Sequence, residues 1–296
     1  MSSAISPATG KAYGVQRVCV AWEVPRSSFY GRVARKEVHP VPRKRGPKTP
    51  LSDNEVLALI RADLETSSFI GEGHRKVWAR LRFVKGIPVG RKRVLRLMRE
   101  NHLLSPHRVV QGQPREHAGK IITAAPNVMW GADGTKIFTL EEGWCWLFTA
   151  VEHWNAECVG WHVTKQGDRF AALQPLSMAI KARFDSVGAN AARGLVLRMD
   201  HGTQYLSEHF QNQIKFWGMA PSFAFVAEPQ TNGVAERFYR TLKEQVIYGR
   251  NYRTVQEVRV AVADFMDRYN RLWLIEKLGF RSPRQAFEEY QLQKAA

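Results

Sequence analysis

The stretch MWGADGTKIFTL, residues 129–140, is the first of three strand-like runs that decide the fold. WCWLFTAVEHW at residues 144–154 and CVGWHVTK at residues 158–165 follow it, after the short connections EEG and NAE, which suit hairpin turns. Helical segments then alternate with two shorter strand-like runs, GLVLRMD and APSFAFV. We therefore predict an α/β fold in which three meandering strands and two later strands form a mixed sheet flanked by helices.

Three acidic residues occupy unusual places in this pattern. Asp133 lies inside the first strand-like run, where a carboxylate is costly unless it is paired or bound to a metal ion. Asp200 ends GLVLRMD, and ligand sites tend to form at the carboxyl ends of strands in open sheets. Glu236 is separated from Asp200 by 35 residues. It lies in the first turn of a helix predicted in TNGVAERFYRTLKEQ, residues 231–245. The three acids could therefore converge on one point.

Such a cluster of like charges requires neutralisation. Oxygen ligands select hard cations, and Mg²⁺ accepts a few carboxylates completed by water and phosphate oxygens. Two such ions, about 3.5–4 Å apart, can activate a water or hydroxyl and stabilise the leaving oxygen in phosphodiester chemistry. Each acid alone has an ordinary explanation: Asp133 as a strand-edge acid, Asp200 as a turn residue and Glu236 as a helix N-terminal acid. Their combination favours a functional site.

The N-terminal part of the chain is helical and basic. Residues 1–50 combine a short helix-turn-helix-like element, in GVQRVCVAWEVPRSSFYGRVA, with the proline-rich basic linker VHPVPRKRGPKTP. Residues 51–104 form a predicted all-helical helix-turn-helix DNA-binding domain, which begins with a capping box between Ser52 and Glu55. We expect a loop-like linker at residues 105–125 and the catalytic domain, with a helical tail, at residues 126–296.

The second helix of the predicted DNA-binding domain lies in VGRKRVLRLMRENHL and presents a nearly all-basic outer face. A solvated basic face is the ordinary explanation, but the helix-turn-helix spacing favours contact with DNA. The predicted contact residues are Arg91, Lys92, Arg93, Arg96 and Arg99.

Charge and composition limit the partners. The net charge is +17, from 44 basic and 27 acidic residues, which favours a polyanion such as nucleic acid over the competing membrane-surface role. No apolar run reaches about 18 residues, so no membrane span is predicted, and the start MSSAISPATGKAYGVQR lacks the apolar core of a signal peptide. Cys19, Cys145 and Cys158 lack metal-ligand spacing, and we interpret them as buried free thiols of a reducing cytoplasm.

Three blocks of the sequence resemble a known family. WGADGTKI, LRMDHGTQYLSEHFQ and QTNGVAERFYRTLKEQ resemble the catalytic blocks of DDE transposases and retroviral integrases, including the spacing of 35 residues between the second and third acids. The resemblance is nearest to the catalytic, second-frame (OrfB-type) proteins of the IS-three group of bacterial insertion sequences. It extends over nearly the whole chain, because the N-terminal helical elements and the tail YNRLWLIEKLGFRSPRQAF are also similar to these proteins.

The resemblance implies a ribonuclease H-like core in which Asp133, Asp200 and Glu236 are the catalytic residues and the ligands of two Mg²⁺ or Mn²⁺ ions. It also matches Lys243 to a basic residue that holds substrate DNA, and Arg240 would face the phosphates from the same side of the helix. The ordinary explanation for both bases is helix solubility. The sequence departs from the family at Met199, where Ser is frequent, and at His201, which could contact DNA or serve the structure.

The implied function is metal-dependent DNA strand cleavage and strand transfer at the ends of an insertion sequence, by a DDE-type polynucleotidyl transferase. The expected partners are double-stranded DNA, as terminal repeats and target, and further copies of the chain on that DNA. An upstream-frame partner or fusion is also open, no membrane is expected, and the expected location is the bacterial cytoplasm at the nucleoid. Two alternatives remain: a catalytically inactive DNA-binding regulator or relic transposase, and a ribonuclease H-type hydrolase without strand transfer.

Overall fold

The computed structural model describes residues 3–37, 50–106, 121–223 and 233–295. It contains two compact units, Met1–Pro50 and Leu51–Ala296. Most of the predicted basic linker before residue 50, most of the predicted linker at 105–125 and the start of TNGVAERFYRTLKEQ lie outside the described residues. Within the described residues, no helix is both long enough and apolar enough to cross a bilayer.

The first unit contains the predicted helix pair. Helix α1 spans Gly14–Ala21 and α2 spans Arg26–Glu37, with the break at Trp22–Pro25 as the sequence predicts. Cys19 is buried in α1, and it is a free thiol, as are Cys145 and Cys158 in the second unit. The prediction of three buried, unpaired cysteines is therefore confirmed.

The second unit begins with three helices. Helix α3 spans Asp53–Thr66, α4 spans His74–Ala79 and continues as a π turn, and α5 spans Arg91–Glu100. The capping box at the start of α3 is present, because the Ser52 hydroxyl accepts from the Glu55 amide and the Glu55 carboxylate accepts from the Ser52 amide. A small core of apolar side chains holds the three helices together: Val56, Ile60, Val77, Leu81, Val89, Val94, Leu97 and Met98.

The rest of the second unit is built on a five-stranded mixed sheet. Its strands, all five predicted from the sequence, are β1 Met129–Thr139, β2 Gly143–Glu152, β3 Cys158–Thr164, β4 Val196–Met199 and β5 Ala220–Phe223. Their spatial order is β3-β2-β1-β4-β5. The first three strands are antiparallel hairpin neighbours, whereas β4 pairs with β1 and β5 pairs with β4 in parallel. The predicted mixed α/β architecture is confirmed, with the ribonuclease H-like core that the resemblance implies.

Helices cover both faces of the sheet and form two separate cores. One core contains α6 Arg169–Phe184, α7 Thr203–Leu206 and α8 Glu208–Phe216. The other contains α9 Gly233–Leu242, the π turn Lys243–Ile247 and α10 Val255–Leu272. A final helix, α11, spans Pro283–Ala295 and packs beside α10. Alternation of side chains along each strand separates the two cores.

The N-terminal helices of the second unit pack directly on the part of the unit that contains the sheet. Phe69, in the turn after α3, belongs to the same buried cluster as α9 and α10, and its ring lies 4.9 Å from that of Trp273. The Gln245 side chain accepts from the Ile70 amide at 2.9 Å and donates to the Ile70 carbonyl at 2.7 Å. Residues 51–104 and the core therefore form one compact unit, although the sequence predicts a linker between them.

Gly160 in β3 allows α6 to approach the sheet closely. A Cβ atom at this position would lie 1.9 Å from the backbone oxygen of Pro175 and 2.8 Å from its carbonyl carbon. Both contacts are with backbone atoms, which cannot rotate away as a side chain can. The packing of α6 against β3 therefore requires a residue without a side chain at position 160.

We predict that Gly160→Ala lowers the free energy of unfolding by about 3 kcal/mol, because the helix must move off the sheet. Urea unfolding followed by circular dichroism measures the change. Gly73→Ala is the matched control, since an added Cβ there meets nothing within 4 Å. Equal unfolding midpoints for the two variants would contradict the close-approach argument.

Candidate active site

The sheet brings two of the predicted acids together. Strands β1 and β4 run in parallel with Met129 opposite Val196 and Gly131 opposite Arg198. Asp133 and Asp200 each follow this last pair by two residues, and the charge of Asp200 acts on the Asp133 carboxyl group. Asp200 follows the last residue of β4, at the carboxyl end of the strand, where ligand sites of open sheets tend to form.

Neighbouring backbone amides orient both aspartates. The Gly134 amide donates to Asp133 Oδ1 at 2.7 Å, and the Gly202 amide donates to Asp200 Oδ1 at 2.8 Å. Each hydrogen bond uses one oxygen of the carboxylate and restrains its rotation. The sequence analysis did not identify these amide donors, although a glycine one or two residues after each acid was visible in GADG and DHG.

The third acid approaches from helix α9. Glu236 is exposed in the first turn of this helix, and the buried Tyr239 follows it by three residues. The Tyr239 hydroxyl donates to the backbone oxygen of Asp133 at 2.7 Å and accepts from Thr149 Oγ1 at 2.9 Å. Tyr239 thus holds α9 against β1 at the aspartate itself. Sequence reasoning missed it, because an aromatic residue on the buried face of a helix is ordinarily core.

The pKa of Asp133 depends on the charges of the other predicted site residues. The pKa of Asp133 is raised to about 6, chiefly by burial and also by the negative charges of Asp200 and Glu236. The Gly134 hydrogen bond and the positive charge of Lys243 act in the opposite direction. The other two acids and Lys243 are therefore close enough to act on the Asp133 carboxyl group.

The donor set suits a hard cation. Asp133 is half-buried, whereas Asp200 and Glu236 are exposed, and all three offer carboxylate oxygens. Within the described part of the chain, no three His, Cys, Asp or Glu side chains form a group that encloses a metal ion. Mg²⁺ does not require such a cage, because it is commonly held by one or two carboxylates with water and phosphate oxygens. The like-charge repulsion at Asp133 is what a bound cation would relieve.

The structure places the other predicted residues of this region as follows. Arg240 is exposed on α9, and Lys243 is half-buried at the start of the π turn. Met199 is fully buried in the core on the α6 side of the sheet. The ring of His201 is exposed and lies 5.3 Å from that of Phe223, at the end of β5.

The predicted basic face of α5 divides into two groups. Arg93 donates to Asp53 and to the Leu51 carbonyl, both at the start of α3, and its side chain is only 18% exposed. Arg96 pairs with the same Asp53 at 2.7 Å and also with Glu100. Hydrogen bonds from Arg96 and Arg93 lower the pKa of Asp53 to about 2. These two arginines therefore tie α5 to α3.

Of the remaining three bases of α5, two are exposed and one forms an ion pair with the segment between α10 and α11. Lys92 and Arg99 are exposed. Arg91, at the first turn, pairs with Glu276 at 3.2 Å, and Arg75 of α4 reaches the same carboxylate at 2.8 Å. The start of α5 thus lies beside the segment between α10 and α11.

Known proteins match this fold and this arrangement of the chain. Two integrase core domain models match residues 123–229 and 218–283, and an HTH-like domain model matches residues 53–110. Two similar relatives are transposase InsD of insertion element IS2-9 of Escherichia coli K12, 29% identical over 94% of each chain, and transposase InsD of IS2A/D/F/H/I/K of Escherichia coli, 28% identical over 89% of this chain and 90% of that one.

Solved structures of viral integrases are also similar. The simian T-cell lymphotropic virus intasome matches with a TM-score of 0.42 at 17% identity, covering 73% of this chain and 70% of that one. The catalytic core of BIV integrase matches with a TM-score of 0.40 at 18% identity, covering 57% of this chain and 99% of that one.

The chain is thus a protein with an integrase core domain preceded by an HTH-like domain. The two integrase-core models together cover more than half of its 296 residues. Within that class, the chain is similar along nearly its whole length to transposases of bacterial insertion sequences.

The raised pKa of Asp133 predicts a pH-dependent gain of stability in Asp133→Asn. Wild-type stability falls as pH rises from about 4 to 6, because the folded state retains a proton that the unfolded state releases. Asparagine removes this penalty and still accepts from the Gly134 amide. The variant should be more stable than wild type by on the order of 1–3 kcal/mol at pH 8, with no gain near pH 4.

Urea unfolding at both pH values, in buffer with a metal chelator, measures this difference. Asp185→Asn is the control, since Asp185 is exposed and its left-handed backbone tolerates asparagine. A gain that is equal at pH 4 and pH 8 would show that ionisation of the Asp133 carboxyl is not its cause.

Because Arg93 is paired and Lys92 is exposed, we predict that their substitution by alanine affects stability and DNA binding differently. Arg93→Ala should lower the free energy of unfolding by about 1 kcal/mol, since it breaks hydrogen bonds to Asp53 and Leu51. Lys92→Ala should leave stability within about 0.5 kcal/mol but weaken DNA binding and reduce its salt dependence by about one phosphate contact. Unfolding and salt-dependent fluorescence anisotropy separate the two effects. Loss of DNA affinity in Arg93→Ala at full stability would reverse this assignment.

Proposed function

We propose that this protein is a transposase that cuts and joins DNA strands at the ends of its insertion sequence, as a DDE-type polynucleotidyl transferase in which Asp133, Asp200 and Glu236 are the catalytic carboxylates. The observation that supports the proposal is the arrangement of these acids. Asp133 and Asp200 each follow the last β1–β4 ladder pair by two residues, and Tyr239, on the helix that carries Glu236, donates to the Asp133 backbone. The charges of Asp200, Glu236 and Lys243 all act on the Asp133 carboxyl group.

The proposed site residues have distinct tasks. Asp133, Asp200 and Glu236 would hold two Mg²⁺ or Mn²⁺ ions, which when bound activate a water or 3′-hydroxyl and stabilise the leaving oxygen. The Gly134 and Gly202 amides keep the two aspartates oriented toward the shared site. The positive charge of Lys243 acts on Asp133, so Lys243 is suited to hold a DNA phosphate there, and Arg240 adds positive charge on the exposed face of α9.

The DNA partners follow from the placement of the other bases. Lys92 and Arg99 offer exposed charge on α5, and the net charge of +17 supports binding of a polyanion. We propose the terminal repeats and the target as the two DNA substrates. Assembly of several copies on DNA, an upstream-frame partner or fusion, and a place at the bacterial nucleoid belong to the same proposal.

Two alternatives predict different reaction products. A relic or regulatory protein would bind DNA without cutting it, and a ribonuclease H-type hydrolase would cut without joining. Neither is favoured, because the three acids are intact and the transposase relatives align along nearly the whole chain. A labelled duplex carrying the terminal repeat, mixed with unlabelled target DNA, distinguishes bound, cut and joined products in one reaction.

We predict that Asp200→Asn lowers cleavage and joining by at least about a hundredfold, because the carboxylate acts through the metal ions. Gel-shift affinity for the same duplex should change less than about threefold, since phosphate contacts come from basic residues elsewhere. The substituted amide still accepts from Gly202, so the fold is retained. Asp185→Asn makes the same chemical change on the surface and should keep full activity. Parallel losses of binding and cleavage in Asp200→Asn would show that its role is different.

A further inference from the structure

One buried hydroxyl joins helix α9 to two strands of the sheet at the candidate active site. Tyr239 is only 5% exposed and lies on α9, about one helical turn after Glu236. Its hydroxyl donates to the Asp133 backbone oxygen on β1 and accepts from Thr149 on β2. Thr149 is the cross-strand partner of Asp133 and is itself 1% exposed. The three groups therefore form one chain of hydrogen bonds, which is buried at Thr149 and partly buried at Asp133.

The position of this contact along β1 is significant. The parallel ladder between β1 and β4 ends at the pair of Gly131 and Arg198, two residues before Asp133. Tyr239 thus supplies a donor to the β1 backbone just beyond the last paired residue of β4. A buried polar group without a partner is costly, so this hydrogen bond strongly favours one placement of α9 along the strand.

We propose that Tyr239 is a positioning residue for the active site: its hydroxyl, supported by Thr149, sets the separation between the Glu236 carboxylate and Asp133, and hence the affinity of the site for divalent ions. The inference rests on the proposed metal-binding role of the three acids. Tyr239 itself takes no part in the chemistry, because its hydroxyl is engaged with the backbone and with Thr149.

The hydroxyl acts separately from the packing of the ring. Helix α9 is also held by Phe238, whose ring contacts those of Phe265 and Tyr269 in the core. Phenylalanine at position 239 would keep the buried ring and this neighbouring contact. Removal of the hydroxyl alone should therefore leave α9 folded while relaxing its position relative to β1. The burial of Tyr239 and the nearby Asp133 charge also raise its pKa well above the usual range, so the hydroxyl remains a neutral donor.

The test compares Mn²⁺ binding by wild type, Tyr239→Phe and Tyr269→Phe, followed by electron paramagnetic resonance of the full chain without DNA. We expect Tyr239→Phe to weaken Mn²⁺ binding about tenfold, as outer-shell substitutions commonly do. Tyr269→Phe is the matched control, because the Tyr269 hydroxyl is buried in the same core and donates to the Ala156 carbonyl at 3.1 Å. It should bind Mn²⁺ as wild type does. Unchanged binding in Tyr239→Phe, or equal weakening in both variants, overturns the proposal.

Thr149 provides a second test that keeps the tyrosine. Thr149→Val removes the donor to Tyr239 and should weaken Mn²⁺ binding in the same direction, whereas Thr149→Ser retains the hydroxyl and should restore wild-type binding. In the double variant with Tyr239→Phe, the effect of Thr149→Val should disappear, because Thr149 acts through the tyrosine. Additive effects would contradict the proposed chain of contacts.

The same proteins then report on the two proposals separately. In the DNA cleavage assay, Tyr239→Phe should need about tenfold more Mn²⁺ for half-maximal rate, with gel-shift affinity unchanged. A wild-type protein that binds Mn²⁺ but neither cuts nor joins DNA would contradict the proposed function and leave the positioning role of Tyr239 intact. A wild-type protein that cuts DNA with an unchanged Mn²⁺ requirement in Tyr239→Phe would contradict only the positioning role.

Discussion

Parallel pairing of β1 with β4 is the constraint on which the candidate active site depends, because it places two distant segments of the chain in register. Gly131 lies opposite Arg198, so the aspartates two residues further along face the same side of the sheet. Repulsion between these carboxylates contributes to the raised pKa of Asp133, although burial is the larger cause. The surrounding apolar core and the Tyr239 hydrogen bond hold the acids together against that repulsion.

The two halves of the site differ in how they are built. Asp133 and Asp200 are placed by backbone pairing and by amides from adjacent glycines, so their geometry is local to the sheet. Glu236 is placed by a helix whose contact with the sheet depends on side chains. A helix held by side-chain packing can be adjusted by single substitutions, whereas a register of paired strands cannot slip without displacing every side chain it carries. Of the three acids, Glu236 is therefore the one whose position single substitutions can change most easily.

Much of this arrangement could be predicted from the sequence, since it depends on local patterns. The strands follow from short apolar runs with hairpin connections, the capping box of α3 from Ser52 and Glu55, and the three acids from their positions within those elements. The partition of the α5 arginines could not be predicted. Arg93 and Arg99 look alike in the sequence, and only the tertiary position of Asp53 shows that Arg93 is structural. The packing of Phe69 and Gln245 likewise depends on contacts between residues far apart in the chain.

Two hydrogen bonds between Gln245 and Ile70 connect the N-terminal helices of the second unit to the helix that carries Glu236. Gln245 lies in the π turn that continues α9, nine residues after Glu236, and Ile70 lies in the turn between α3 and α4. A displacement of the turn between α3 and α4 would therefore act, through these two hydrogen bonds, on the helix that carries Glu236. The position of Glu236 is in this way coupled to the position of the HTH-like region.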